Sequence, residues 1–254
     1  TFGGEGIDMG RFVQQTNDGG YIIVGQYDPI GNGSSDIYLL KTDSFGVEEW
    51  SQIFGENIPS GGTSVEQTLD DGYIITMLEY GSEFYNCHLI KTDENGDTLW
   101  SQFISNVNPF SVQQTTDGGY ITTGHRFLNN YSSEIILIKT DQNGVEEWEF
   151  SFGETCIGGS VQQTTDGGYI LSGTCDGIIM LIKIDEEGEE EWIQNISGDG
   201  DGNSVQQTTE GGFIITGRVY LYSNNLSQSS EVVLIKTDEN GDSLWTKTFG
   251  GEGY

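Results

Sequence analysis

Asp199, Asp201 and Asn203 offer oxygens at positions one, three and five of a short Gly/Asp segment, the spacing with which calcium loops begin, and Glu210 falls at the twelfth position. The sixth residue is Ser204 instead of glycine, and Val205 to Thr209 reads as strand, so the segment departs from an EF-hand. A solvated Gly/Asp turn is the plainer expectation, and calcium is the one cofactor that the residues suggest. The Asp-Glu-Asn-Gly-Asp segments at Asp93 and Asp238 are likewise turns first and cation sites second. His88 and His125 are the only histidines and neither sits in a spacing typical of a metal site or a nucleophilic triad. No catalytic role is expected of them. A carboxylate pair acting as acid and base needs two distinct environments, which near-identical repeats do not supply.

Two further chemistries are readable. Cys156 and Cys175 flank a predicted hairpin, and folding Ser160 to Thr174 about the turn at Asp166 to Gly168 brings them to the same end, so a disulfide is expected there. Cys87 has no evident partner and is expected to be a small buried residue. Asn-x-Ser sequons stand at Asn32, Asn130, Asn195 and Asn225, which glycans would occupy in a secreted, glycosylating host.

The elements that must hold these residues repeat five times. A Val-Gln-Gln-Thr phrase begins at Val13, Val65 (with Glu66 for the first Gln), Val112, Val161 and Val205. Lysine returns at 41, 91, 139, 183 and 236, and tryptophan always nine residues later, at 50, 100, 148, 192 and 245. The Val to Lys spacing varies through 28, 26, 27, 22 and 31, which confines length variation to one loop. Three of the sequons, Asn32, Asn130 and Asn225, fall in that loop and would decorate one rim.

Each unit reads as four strands. In copy three these are Ser111 to Thr116, an Asp-Gly-Gly turn, Tyr120 to Thr123, the variable loop, and Glu134 to Thr140, whose Ile/Leu run predicts an interior strand. A second glycine turn then leads to the strand that carries tryptophan. The last glycine of the first turn is present in every copy, as expected where the backbone needs positive φ or has no room for a Cβ. Asp71 replaces the preceding glycine in copy two, and Asp tolerates the left-handed region. A two-residue turn at Asn95-Gly96 would set Lys91 opposite Trp100 and place a cation over its ring; Phe45 and Glu187 favour a three-residue loop with a bulge, which moves the pairing by one residue.

Four antiparallel strands in about 49 residues match a β-propeller blade of roughly 40 to 50 residues. The reading is one all-β domain over residues 1–254, a five-bladed β-propeller whose blades cover one another's apolar faces. Residues 248–254 repeat the opening segment, and either begin a linker or open a sixth repeat.

These motifs resemble the extracellular β-propeller repeat proteins of bacteria and archaea, whose units read Ser-Val-Gln-Gln-Thr-x-Asp-Gly-Gly-Tyr-Ile, then Asp-x-x-Leu-x-Lys-x-Asp, a glycine, Trp and Phe-Gly-Gly. Here they appear as Ser111 to Ile121 and as Asp36 to Asp43 with Trp50 and Phe54-Gly55. The resemblance implies a secreted or surface protein without an assigned reaction.

Forty acidic residues against nine basic ones give a net charge of −31 over 254 residues, a field that repels nucleic acid and anionic lipid. No apolar run approaches the roughly 18 residues of a membrane span. With 34% hydrophobic residues the chain has material for a core, while 38 glycines and no alanine argue against helix. The expected protein is a non-enzymatic, extracellular structural or adhesive module, one bead of a larger surface or filamentous assembly, whose partners are other copies or neighbouring domains of the same protein. A lectin-like propeller binding glycans is the alternative, and a glycoside hydrolase the second.

Overall fold

A computed structural model describes residues 2–3, 7–28, 35–55, 59–80, 85–129, 132–222 and 228–250, the side chains of 222 and 228 excepted. Among these the secondary structure is twenty strands and no helix. The strands form five four-stranded antiparallel meanders, each in simple sequence order. The chain is thus an all-β, five-bladed β-propeller.

The blades run Met9–Gln15, Tyr21–Tyr27, Asp36–Thr42, Glu48–Phe54; Ser60–Gln67, Tyr73–Tyr80, Tyr85–Thr92, Thr98–Ile104; Asn108–Gln114, Tyr120–Asn129, Ser132–Thr140, Glu146–Phe152; Cys156–Gln163, Tyr169–Cys175, Ile178–Ile184, Glu190–Ser197; and Gly200–Gln207, Phe213–Tyr222, Gln228–Thr237, Ser243–Phe249. First strands start earlier than their Val-Gln-Gln phrase announces, because small residues such as Gly61, Gly62, Gly158 and Gly202 pair in register before a bulge. Two compact units are present: Thr1–Thr122 with Lys139–Glu147, and Thr123–Ile138 with Trp148–Tyr254. The division passes through the third blade.

Apolar residues of the second and third strands make the core. In the first unit Ile22, Val24, Ile37 and Leu39 pack with Val65, Tyr73 and Ile75 of the next blade. In the second, Ile170, Ile179 and Leu181 pack with Val205, Phe213 and Ile215. The third strands Ser132–Thr140 and Ile178–Ile184 are buried on both faces, as their continuous Ile/Leu runs predict, whereas that of the fifth blade alternates, with Val232 54% exposed. Each side chain gains roughly 1.5–3 kcal/mol from such burial, and no single sheet provides it alone.

Both glycine turns follow the sequence. In the first, positive φ belongs to the penultimate residue, Gly19, Asp71 (φ 62°), Gly118, Gly167 or Gly211. The last glycine is required for space: a Cβ on Gly20 would overlap the Thr42 carbonyl oxygen, and the same holds in the other four copies. The second turn is the longer loop with a bulge. It pairs Lys41 with Trp50, Lys91 with Trp100, Lys183 with Trp192 and Lys236 with Trp245.

Candidate functional site

Although Lys and Trp stay paired across the longer loop, against the one-residue shift expected for it, the ammonium does not lie over the paired ring among the described residues. It reaches back to the aspartate of the first turn. Lys41 Nζ lies 2.7 Å from both Asp18 and Glu49, Lys139 Nζ 2.8 Å from both Asp117 and Glu147, and Lys183 Nζ 3.1 and 3.2 Å from Asp166 and Glu191. Lys91 has Asp70 alone, at 3.0 Å, because Leu99 stands where copies one, three and four have Glu49, Glu147 and Glu191. A carboxylate outcompetes a ring for a desolvated ammonium, which overrides the cation over aromatic arrangement.

Proton affinities follow. The Lys41 ammonium, the Thr16 hydroxyl and the Gly20 amide hold Asp18 far below the usual carboxylate range. Partial burial raises Asp117, but Lys139, Thr115 and the Gly119 amide outweigh it and bring it down to about 2. Asp70 and Asp166 are lowered by the same opposition. Lys41 is pushed down by burial and raised on balance by Asp18 and Glu49. The lysine ties the two turns of its blade together and leaves no free ammonium for chemistry at Lys41, Lys91, Lys139 or Lys183.

The Gln-Gln pair and the tryptophan join one blade to the next. Gln14 Oε1 accepts the Gln67 amide at 2.7 Å, Glu66 accepts that of Gln114, and Gln162 accepts that of Gln207 at 2.6 Å. The second Gln answers: Asn17, Leu69 and Thr165 donate their backbone N–H to Gln67, Gln114 and Gln207. Ser64 and Ser160 Oγ accept from Val112 and Val205. The glutamines are thus interblade fasteners.

Four of the five tryptophans, Trp50, Trp100, Trp148 and Trp192, lie on the second-turn glycine of the following blade. A Cβ on Gly96 would fall 2.7 Å from Trp50, one on Gly144 2.6 Å from Trp100, one on Gly188 2.8 Å from Trp148 and one on Gly241 2.7 Å from Trp192. The same rings meet Tyr73, Tyr120 and Tyr169 edge-on, at centroid distances of 5.7, 5.6 and 5.6 Å, and Phe213 at a tilt, at 6.0 Å. Gln52 and Gln102 add a bond to the carbonyl before the glycine.

What departs from the repeat is more selective. Arg11 aligns with Thr63, Phe110, Gly159 and Asn203, and Gln26 with Leu78, His125, Thr174 and Arg218. Arg11 donates to Gln26 Oε1 at 3.0 Å, and Gln26 Nε2 donates to Tyr80 Oη at 3.1 Å. With Thr63, Asn108 and Phe110 they line a cavity of about 300 Å³ within the first unit. It combines a guanidinium, amides and aromatic surface, the lining by which pockets hold a polar organic ligand. It has no counterpart in the repeated positions of the other blades. Its signal in the sequence is the single arginine among unlike residues.

The residues singled out by spacing fall as follows. Asp199 adopts φ 48°, and Asp201 and Asn203 lie in the strand Gly200–Gln207. Asp201 receives Arg218 Nε at 2.5 Å and Tyr220 Oη at 2.6 Å. No group of three or more His, Cys, Asp or Glu arranged to hold a metal occurs among the described residues. Cys156 and Cys175 face each other across the first two strands of blade four and form a disulfide. Cys87 is fully buried, which pushes its thiol up to about 12. Asn195 is exposed on the strand Glu190–Ser197. Asn32, Asn130 and Asn225 lie outside the described residues. His88 meets Glu79 at 2.6 Å, and burial lowers His125 to about 4. Burial raises Glu66 to about 7 against the opposing Gln114 amide.

No family model and no curated protein matches the chain. Among solved structures it is similar to a protein of unknown function from Bacteroides caccae, with TM-score 0.62 and 13% identity over 95% of this chain and 82% of that one. It is also similar to Sqt1 from Chaetomium thermophilum, with TM-score 0.56 and 8% identity over 96% and 62% of the two chains. An endo-arabinase from Bacteroides thetaiotaomicron gives TM-score 0.51 and 10% identity over 87% and 91%. At these identities the likeness shows the fold, and a fold shared by such different proteins leaves activity to the individual site.

Proposed function

We propose that the protein is a non-enzymatic, extracellular structural or adhesive module that serves as one bead of a larger surface or filamentous assembly. The observation that carries this reading is the use made of the repeated residues. Lysine, aspartate, glutamine and tryptophan, the groups most capable of chemistry, are engaged within a blade or between neighbouring blades. The disulfide suits an oxidising compartment, and the acidic surface suits a soluble exterior. Imaging of native material tests it: neighbouring copies or domains in contact are expected, and hydrolysis of a polysaccharide by the purified chain would sink it.

The cavity at Arg11 favours a second reading, a carbohydrate-binding propeller. Its aromatic and amide lining fits a sugar ring, and the guanidinium favours one bearing a carboxylate. Glycan-array binding that disappears in Arg11→Ala would support it, and silence of the array would remove it.

A further inference from the structure

One position of the blade keeps its geometry while its residue type changes. In the first strand of blade one, Gly10 pairs with Gly25 and Phe12 with Val24, so Arg11 is the extra residue of a β-bulge. In blade two Gly62 pairs with Met77 and Ser64 with Thr76, which leaves Thr63 in the same place. Asn203 repeats it in blade five, and Phe110 is the aligned residue of blade three. A bulge residue is released from the ladder, and its side chain is aimed out of the alternation of its strand. Arg11, Thr63 and Phe110 come from neighbouring first strands of the first unit and line the same cavity of about 300 Å³. The guanidinium among them has no counter-charge. Arg126 meets Glu134 and Glu149, and Arg218 meets Asp201, whereas Arg11, in a chain with forty acidic residues, has the neutral Gln26 as its partner among the described residues. Gln26 is 7% exposed. Because a guanidinium only donates, the amide turns its oxygen to Arg11, and its nitrogen goes to Tyr80 Oη at 3.1 Å.

We infer that the cavity is a hexuronate site and that the three bulge residues set its specificity: Arg11 takes the carboxylate, Thr63 a ring hydroxyl and Phe110 the apolar face of the ring. This rests on the carbohydrate-binding reading above and names its ligand. One Arg11 N–H is spent on Gln26, and the others form the planar fork that matches a carboxylate. Thr63 Oγ1 lies 2.9 Å from Thr76 Oγ1 and 3.2 Å from the Thr76 carbonyl oxygen, so its proton is engaged and a lone pair is left to accept a sugar hydroxyl. Tyr80 accepts from Gln26 and keeps its own proton to donate, and the Asn108 amide offers both a donor and an acceptor. Gln26 is a positioning residue, which holds the guanidinium without neutralising it. The cavity lies at the small end of ligand pockets, which span roughly 300 to 1,000 Å³. That size suits a single or terminal uronate, and a net charge of −31 repels a long polyanion.

Calorimetric titration of the full chain with the methyl glycosides of glucuronate, galacturonate and mannuronate, each beside its neutral hexose counterpart, tests this, with acetate as the ringless carboxylate. One uronate is expected to bind on the order of tenfold more tightly than its neutral counterpart and than acetate. Arg11→Gln should erase that ratio. Gln26→Glu, which gives Arg11 an internal carboxylate in nearly the same volume, should invert it, so that the neutral sugar binds better than the uronate. Phe110→Ala should weaken both sugars together. Unchanged circular dichroism confirms that each variant folds. A uronate and its neutral counterpart bound alike overturn the inference and leave the carbohydrate reading standing, as does a uronate preference that survives either Arg11→Gln or Gln26→Glu. A Phe110→Ala chain that binds like the wild type overturns the place given to the ring. Acetate bound as tightly as every uronate, or no probe bound at all, overturns both the inference and the reading beneath it.

Discussion

The second and fifth blades carry the same tryptophan on the same strand, yet Trp100 is held between Gly144 and Tyr120 while Trp245 is 39% exposed. The difference teaches that the repeat encodes half of a contact, and that neighbours decide whether the half is used. The lysines make the same point in charge. Lys139 is buried with two carboxylates and Lys91 with one, whereas Lys236, which has no ion pair among the described residues, stays half-buried with the Thr208 hydroxyl at 2.9 Å. An ammonium goes as deep as its counter-charges allow.

The largest effect expected from this contrast is on stability at dilute concentration. Trp100→Ala removes the ring from between Gly144 and Tyr120 and should cost about 3 kcal/mol, the low end for a partly exposed tryptophan, while Trp245→Ala should stay within about 0.5 kcal/mol. Urea unfolding of both variants measures it, and equal losses would break the comparison.

Next in size is the loss of a counter-charge. Asp70→Asn leaves Lys91 without a carboxylate and is expected to cost about 2 kcal/mol, whereas Asp117→Asn leaves Glu147 beside Lys139 and should cost about 1 kcal/mol, both reduced by the exposure of the aspartates. Acid titration of the wild type adds a sign. These aspartates have lowered folded values, so their contribution is present above the ordinary value of 3.8 and disappears as pH falls through about 2, the Asp117 value.

Glu66 behaves oppositely. Its folded value is raised from 4.5 to about 7, so the folded state binds the proton more tightly and stability falls as pH rises through that interval. Glu66→Gln, which restores the residue of the other copies, should recover on the order of 2 kcal/mol at pH 8 and nothing at pH 4. Gln206→Glu, the matching change on the exposed face, should leave the pH profile of the dilute chain unaltered.

Much of this was legible in the residues, for identifiable reasons. Strand order, the interior third strand and the meander follow from recurring Gly turns and Ile/Leu runs, which are local signals. The disulfide followed from hairpin arithmetic about Asp166 to Gly168. The partner of each lysine was not legible, because Asp18 and Lys41 come from different turns and meet only once the sheet is formed. The destination of tryptophan was hidden for a similar reason, since Gly96 lies in the blade after Trp50 and its conserved turn already accounted for a glycine. The cavity at Arg11 draws on three blades, and no periodic pattern marks it.

The central claim is that tryptophan on glycine is the fastener between blades. Hydroxyl-radical labelling read tryptophan by tryptophan tests it most directly. Trp245, which is 39% exposed, should oxidise well ahead of Trp50, Trp100, Trp148 and Trp192. Five tryptophans oxidising alike would contradict the account.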